Sequence, residues 1–205
     1  LAQQFARPSG RVGRWLIGPW LNRIARHMNR LALREKDPQP GENVLEIGFG
    51  GGGLLRSILA TSPGEVMGVD VSEAMVERAR RRFRRRPRLH LHHGSVEELP
   101  VPDHAVDKAV SVNNIYFWPD PAGAMAELAR VVRPGGRLVI CFEPAEELRK
   151  WPGHRYGFRL WRGEAVARYM RRAGFGEIRA VWGAGRRPDR FLCLSGTRLG
   201  AQRDA

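Results

Sequence analysis

Two features of this chain have residue types and spacing that can do chemistry together. The segment 43–53, NVLEIGFGGGG, ends in a loop where Gly48 and Gly50 to Gly53 carry no side chain, and Asp70 closes a second apolar run, VMGV, at 66–69. A backbone without side chains can turn tightly and approach a ligand. A carboxylate at the carboxyl end of a strand can accept hydrogen bonds from two adjacent ribose hydroxyls. The chemistry implied is the holding of a nucleoside-containing cofactor. Gly48, Gly50 and Gly53 satisfy the G-x-G-x-x-G dinucleotide fingerprint with an acidic residue about 20 positions on. Glu46-x-Gly48-x-Gly50-x-Gly52 fits a second pattern equally well, so the loop alone leaves the cofactor open.

Those residues need elements to position them. Val44, Leu45 and Ile47 read as a short buried strand, Leu54 to Ala60 as a helix, and Val66 to Val69 as the strand that delivers Asp70. A helix from about Ser72 to Arg84 follows, with Ser72 as its N-cap and Glu73 in its first turn. The third strand spans Arg88 to His93. Then come the segment Gly94 to Pro100, a fourth strand from Val106 to Val112, and Arg130 to Phe142, read as a helix end, a Pro-Gly-Gly turn and the fifth strand. Gly163 to Gly174 reads as a helix with a C-terminal glycine. Ile178 to Trp182 and Phe191 to Ser195 are the last strands.

From about residue 40 onward the order and spacing of these motifs resemble the class I S-adenosylmethionine-dependent methyltransferases. The resemblance implies an α/β fold: a Rossmann-like, seven-stranded, mostly parallel sheet with an antiparallel terminal strand, helices on both faces and an N-terminal helical extension. Residues 1–42 would form that extension or lid and 43–205 the S-adenosylmethionine-binding domain. It also implies a site. Gly48, Phe49, Gly50 and Gly52 would pass close to the methionine part of the cofactor, with Glu46 organising the loop and the amino group. Asp70 would hold the ribose, Val71 would pack on the adenine, and Ser95 and Val96 would meet its edge. From their place in the loop after the fourth strand, Asn113 and Asn114 would orient either a substrate or the cofactor's amino-acid end. The family usually has Asp where this chain has Ser95, which removes charge assistance from that contact. The product would be S-adenosylhomocysteine.

The segment 113–120, NNIYFWPD, lies at the carboxyl ends of the strands, where ligands bind in open α/β sheets. Tyr116, Phe117 and Trp118 either wall the methyl-transfer pocket or pack the next helix onto the sheet. No side chain announces itself as a general base; Tyr116, His154 and Tyr156 are the candidates. The segment is not the Asn-Pro-Pro-Tyr type of enzymes that methylate exocyclic amines of nucleic-acid bases.

The 205 residues, 42% hydrophobic, suffice for one core. Only about 60 residues follow the fifth strand, fewer than the catalytic domain of a typical nicotinamide dehydrogenase. No run is long enough for a membrane span and no signal-peptide h-region is seen, so a cytoplasmic protein is expected, peripheral at the inner membrane face if it meets lipid. Cys141 and Cys193 read as buried thiols. His90 and His92 share one strand face, but without a third ligand at a recognisable spacing they read as strand histidines satisfied by neighbours, and no metal is expected.

The net charge is +14, and 32 of the 35 basic residues are arginine. The charge is either a solvated surface or a footprint for an anionic partner. A helix from Pro19 to about Arg34 would carry Trp20, Ile24, Met28 and Leu31 on one face and Arg23, Arg26, Arg30 and Arg34 on another. It would either lie across the core and cover the cofactor cleft or enter a membrane interface. Eight arginines between Arg78 and Arg88 exceed what a helix C-terminus needs. The expected activity is methylation of a small molecule or a lipid headgroup, such as an aminophospholipid or an isoprenoid quinone precursor. The alternatives are an RNA methyltransferase that uses the arginines, or a non-catalytic nucleoside-binding or NAD-binding module.

Overall fold

The computed structural model describes residues 25–61, 63–155, 157–185 and 189–200. Its elements in chain order are α1 (Arg26–Lys36), β1 (Val44–Ile47), α2 (Gly53–Leu59), β2 (Val66–Asp70), α3 (Glu73–Arg82), β3 (Leu89–His93), β4 (Val106–Val112), α4 (Pro121–Val131), β5 (Val132–Phe142), α5 (Ala145–Leu148), α6 (Gly163–Arg172), β6 (Phe175–Ala184) and β7 (Arg190–Arg198). The seven strands form one sheet in the order β3-β2-β1-β4-β5-β7-β6. β3 through β5 pair in parallel, and β7 runs antiparallel to both β5 and β6. This is the expected mostly parallel sheet, and its antiparallel strand is inserted between β5 and β6.

The order of sheet pairing places all the parallel strands' carboxyl ends on one side, with a reversal of direction at β1 and β4. That is where an open α/β sheet leaves a crevice. Alternation along each strand splits the interior into two layers. One face, with Val44, Val66, Val110 and Val139, packs against Met28, Leu31 and Ala32 of α1, Leu54, Leu55 and Ile58 of α2, and Met75, Val76 and Ala79 of α3. The other, with Leu45, Ile47, Ala109 and Ile140, packs against α4 and α6 and collects the aromatic residues Tyr116, Trp118 and Trp161. Helices therefore cover both faces.

Two local expectations change. The Pro-Gly-Gly segment is not a turn between helix and strand: β5 starts at Val132, directly after α4, and takes Pro134 to Gly136 in as a bulge. Val106 pairs with Val132, yet Lys108 pairs with Arg137, so three extra residues are accommodated in β5. β6 and β7 are longer than expected: β6, at the sheet edge, alternates its side chains into solvent, whereas β7, paired on both sides, is buried from Phe191 to Gly196. Ser72 is the N-cap of α3 with Glu73 in the first turn, as expected, and its backbone N–H donates to Asp70 Oδ1 at 2.9 Å, so Asp70 also holds that helix end.

The described part of the N-terminal helix is amphipathic as expected. Arg26, Arg30 and Arg34 are exposed and Met28, Leu31 and Ala32 are buried. Its apolar face is thus spent on the sheet and is not free for a membrane interface. Residues 1–24, which include the glycine-rich start and the stretch from Pro19 where the helix is expected to begin, lie outside the described residues; α1 itself starts at Arg26. Cys141 and Cys193 are buried thiols directly opposite each other on β5 and β7. Among the described residues no helix is long and apolar enough to cross a membrane.

Candidate functional site

The glycine loop connects β1 to α2 at the point where β1 parts β2 from β4. Its backbone takes positive φ at Gly48, Gly50 and Gly52, with values of 67°, 46° and 68°. Gly53 is instead the first residue of α2. The positive φ values thus fall on the three glycines of the alternation that starts at Glu46. At Gly48 a side chain is also excluded by a neighbour: a Cβ would sit 1.8 Å from Asn114 Nδ2. Asn114 comes this close because its Nδ2 donates to Ile47 O at 2.7 Å, tying the loop after β4 to the end of β1.

Asp70 braces the loop from the next strand. Its Oδ2 accepts Gly50 N–H at 2.7 Å while Oδ1 accepts Ser72 N–H. Burial pushes its pKa up to about 6, and the two backbone donors offset part of that shift. Each carboxylate oxygen keeps lone-pair capacity beyond these bonds. Glu46 has the opposite circumstance. It is 3% exposed and its Oε2 has no hydrogen-bond partner. Burial, with Asp70 adding like-charge repulsion, pushes its carboxyl up to about 8.

Lys36, the last residue of α1, is fully buried and its Nζ also lacks a hydrogen-bond partner. Burial pulls its pKa down to about 8, against the pull of the Glu42 and Glu46 carboxylates. An unpaired buried polar atom costs about 1–3 kcal/mol. The unpartnered Glu46 oxygen on β1, the strand that leads into the glycine loop, marks a place that a ligand's donor would complete. The amino group of an amino acid is such a donor, so the residues present fit the methionine end of S-adenosylmethionine, while Lys36 lies toward the amino ends of β1 and β4 beside Glu42 and Lys108.

The loop after β4 is fully bonded. Asn113 adopts φ 59° and donates its N–H to Cys141 O at 2.8 Å. Its Oδ1 accepts the Tyr116 hydroxyl at 3.1 Å, and that hydroxyl in turn accepts Glu143 N–H at 2.5 Å. Asn114 Oδ1 accepts Trp118 Nε1–H at 3.1 Å and the Ser111 hydroxyl. Tyr116 and Trp118 are 2% and 4% exposed. Tyr116 also meets Phe117 and Phe158 at ring separations of 6.0 and 5.4 Å, and Trp151 meets Phe158 at 5.4 Å. Burial holds the Tyr116 phenol well above its ordinary pKa, so it stays protonated and is not a base. Trp118 packs, as the second of the two readings had it.

The remaining candidates are placed as follows. Phe49 is buried with its ring against Gly68 of β2, so only its backbone belongs to the loop surface. Val71 is half-buried, and its carbonyl contacts His93 Nε2 at 3.1 Å. Val96 is buried, and the Ser95 hydroxyl donates to Glu97, which leaves the hydroxyl oxygen able to accept. His154 Nδ1 is held by Trp151 O at 2.7 Å in a short 3-10 turn. Tyr156 lies outside the described residues. Of the strand histidines, His90 pairs with Glu65 at 2.6 Å.

Sequence reasoning missed Lys36, which looks like one more solvated cation at a helix end, and Glu143. Glu143 follows the last residue of β5, beside Asn113 at the end of β4. Burial together with the Glu147 and Asp189 charges pushes its carboxyl up to about 7. A carboxyl tuned to that range is suited to accept a proton near neutral pH.

Comparison with known proteins agrees with this geometry. Residues 45–140 match the family described as a methyltransferase domain. An uncharacterised methyltransferase of Bacillus subtilis, YdaC, is 33% identical over 120 residues, covering 58% of this chain and 66% of that protein. A demethylmenaquinone methyltransferase of Tropheryma whipplei is 34% identical over 117 residues, covering 56% and 47%. The N-methyltransferase NodS of Bradyrhizobium japonicum, solved with S-adenosylhomocysteine, superposes with a TM-score of 0.76 at 20% identity over 90% of this chain and 94% of its own, a likeness of fold. The chain spans about half the length of several curated relatives that it matches.

Proposed function

We propose, for a chain that belongs to the class I S-adenosylmethionine-dependent methyltransferases, the transfer of a methyl group to a small molecule or a lipid headgroup at the cleft above β1, β2 and β4. The observation that carries this reading is the loop itself: positive φ at Gly48, Gly50 and Gly52, braced by Asp70, over a buried Glu46 whose Oε2 is unpartnered. The cofactor, when bound, supplies an electrophilic methyl group on a sulfonium. Glu46 receives the amino group of the methionine end, and Gly48 and Gly50 let the backbone approach it. Asp70 holds the ribose hydroxyls with its remaining lone pairs. Val71 and Val96 flank the adenine, the Ser95 oxygen accepts from its amine, and Asn113 fixes the cleft wall beside Tyr116.

Methyl transfer is an in-line displacement, so positioning does most of the work and contributes on the order of 7–11 kcal/mol. The rigid aromatic wall fixed by Tyr116 suits that task. Where the acceptor gives up a proton on methylation, Glu143 receives it. Residues 1–42 are the N-terminal extension or lid, whose described helix α1 packs on the sheet face that carries Val44 and Val110, with Lys36 near enough to Glu46 for their charges to interact. The likeness to a demethylmenaquinone methyltransferase supports an isoprenoid-type acceptor over RNA.

Calorimetry with S-adenosylhomocysteine and with NAD tests the cofactor: the first binds and the second does not. NAD binding without S-adenosylhomocysteine binding overturns the assignment. Labelled methyl transfer to metabolite, lipid and RNA fractions then identifies the acceptor, and label in RNA alone selects the other reading.

A further inference from the structure

The arginine cluster after α3 is not used by the cofactor site. It borders a groove of about 340 Å³ along the edge strand β3, lined by Arg80, Arg84, Arg86, His90, His92 and Phe83. Leu89 and the buried Leu91 complete its floor. The volume lies within the range of small-molecule sites, and five of its eight lining residues are arginine or histidine, with Phe83, Leu89 and Leu91 the apolar ones.

The cations in this groove are in surplus. Arg84 and Arg86 make no ion pair among the described residues, while Arg81 is paired with Glu77 and His90 with Glu65. Arg80 is anchored: its Nη2 donates to Leu91 O at 2.8 Å, which fixes the guanidinium plane and leaves its other donors unspent. A donor held in place before binding loses less entropy on binding. Three guanidinium groups with no carboxylate between them fit a phosphate, whose oxygens a guanidinium can meet two at a time. The Phe83 ring beside them, half-buried and with the Arg82 guanidinium 5.3 Å from its centroid, supplies an aromatic contact for a planar group.

We propose that this groove binds a nucleotide, with its phosphate on Arg80, Arg84 and Arg86 and its base on Phe83. The groove is distinct from the methyl-donor cleft and adjoins it from behind. Phe83 also reaches the glycine loop, where a Cβ on Gly52 would sit 2.9 Å from its ring, and the neighbouring Arg82 donates from Nη1 to Gly51 O at 2.9 Å. A nucleotide on Phe83 therefore sits one side chain away from the loop. The aromatic and apolar contacts beside the cations favour a nucleotide over a bare anion, which would need only the charge.

The test uses the whole chain with S-adenosylhomocysteine saturating, so that the methyl-donor cleft is filled and its integrity is measured in the same sample. The probes are uridine monophosphate by calorimetry and a labelled ten-nucleotide oligouridylate by fluorescence polarisation. At least one probe binds saturably, and Arg84→Ser with Arg86→Ser weakens that binding at least about tenfold while S-adenosylhomocysteine affinity stays the same. If the mononucleotide binds as well as the oligomer, the ligand is a free nucleotide. If the oligomer binds far more tightly and loses about 20-fold between 50 and 200 mM salt, as roughly three neutralised phosphates require, the ligand is a strand. Phe83→Leu weakens the nucleotide and not inorganic phosphate. Binding of neither probe, unchanged binding in the double variant, or equal competition by inorganic phosphate or phosphatidylglycerol vesicles overturns the proposal. A chain that binds the probes but not S-adenosylhomocysteine would refute the methyltransferase reading and leave this one standing.

Discussion

The surroundings of Glu46 and those of Tyr116 lie at the same end of one sheet and are equally dry, yet they treat polar atoms in opposite ways. Around Tyr116 the hydroxyl, both Asn113 and Asn114 side-chain oxygens and the Trp118 indole are all bonded within the chain. Around Glu46 a carboxylate oxygen and a lysine ammonium are buried with no hydrogen-bond partner. Burial therefore does not distinguish a wall from a receptacle, and completeness of hydrogen bonding does. The first region is finished by folding. The second is finished by what it binds.

The contrast can be broken most forcefully at the acceptor side. Glu143→Gln should lower kcat on the order of 10²–10⁴-fold for an acceptor that loses a proton, and should remove a rise in kcat centred near pH 7, while S-adenosylhomocysteine binds as before. Steady-state pH profiles with calorimetry check both halves of that statement. Next in size, Gly48→Val sets a side chain against Asn114 and should weaken S-adenosylhomocysteine by about 100-fold, roughly 2.7 kcal/mol, with far-ultraviolet circular dichroism retained. Unaltered affinity would show that the loop is not the receptacle.

Tyr116→Phe leaves Glu143 N–H and Asn113 Oδ1 short of a partner and should cost about 1–3 kcal/mol of unfolding free energy. Urea denaturation measures it. A change in cofactor affinity larger than the change in stability would blur the distinction between wall and receptacle. Smallest per unit of the variable is the pH dependence at Glu46. Its folded pKa, near 8, lies above the unfolded value of 4.5, so the folded chain holds a proton that the unfolded chain has lost. Stability from this group is present below about pH 4.5 and is lost as pH rises toward 8, by at most about 1.4 kcal/mol per pH unit. Glu46→Gln should flatten melting temperature against pH over that window, and added S-adenosylhomocysteine should flatten it in the unaltered chain.

What was legible in the sequence follows the same division. The glycine loop, β1, β2 and Asp70 obey short-range rules: an apolar run, residues that tolerate positive φ, and a carboxylate 20 positions on. Their spacing alone fitted two cofactors, and the backbone adds that positive φ falls on Gly48, Gly50 and Gly52. The bonds that build the wall join residues far apart in the chain, such as Asn114 to Ile47 and Tyr116 to Glu143, and no local pattern encodes them. Lys36 was invisible for a related reason. A lysine at a helix end looks solvated until the sheet beneath that helix is known. The Pro-Gly-Gly segment misled because its residues favour a turn, while pairing with β4 on both sides of it holds the segment in a strand.

The position of β7 has a consequence for the order of assembly. β6 is made before β7, but β7 lies between it and the rest of the sheet, so β6 has no place to dock when it leaves the ribosome. The five parallel strands can be complete by Phe142, whereas β6 must wait until residues 190–198 have emerged and threaded in beside β5. During that interval β5 presents a bare edge from Arg137 to Phe142, the stretch of the nascent protein most in need of a chaperone.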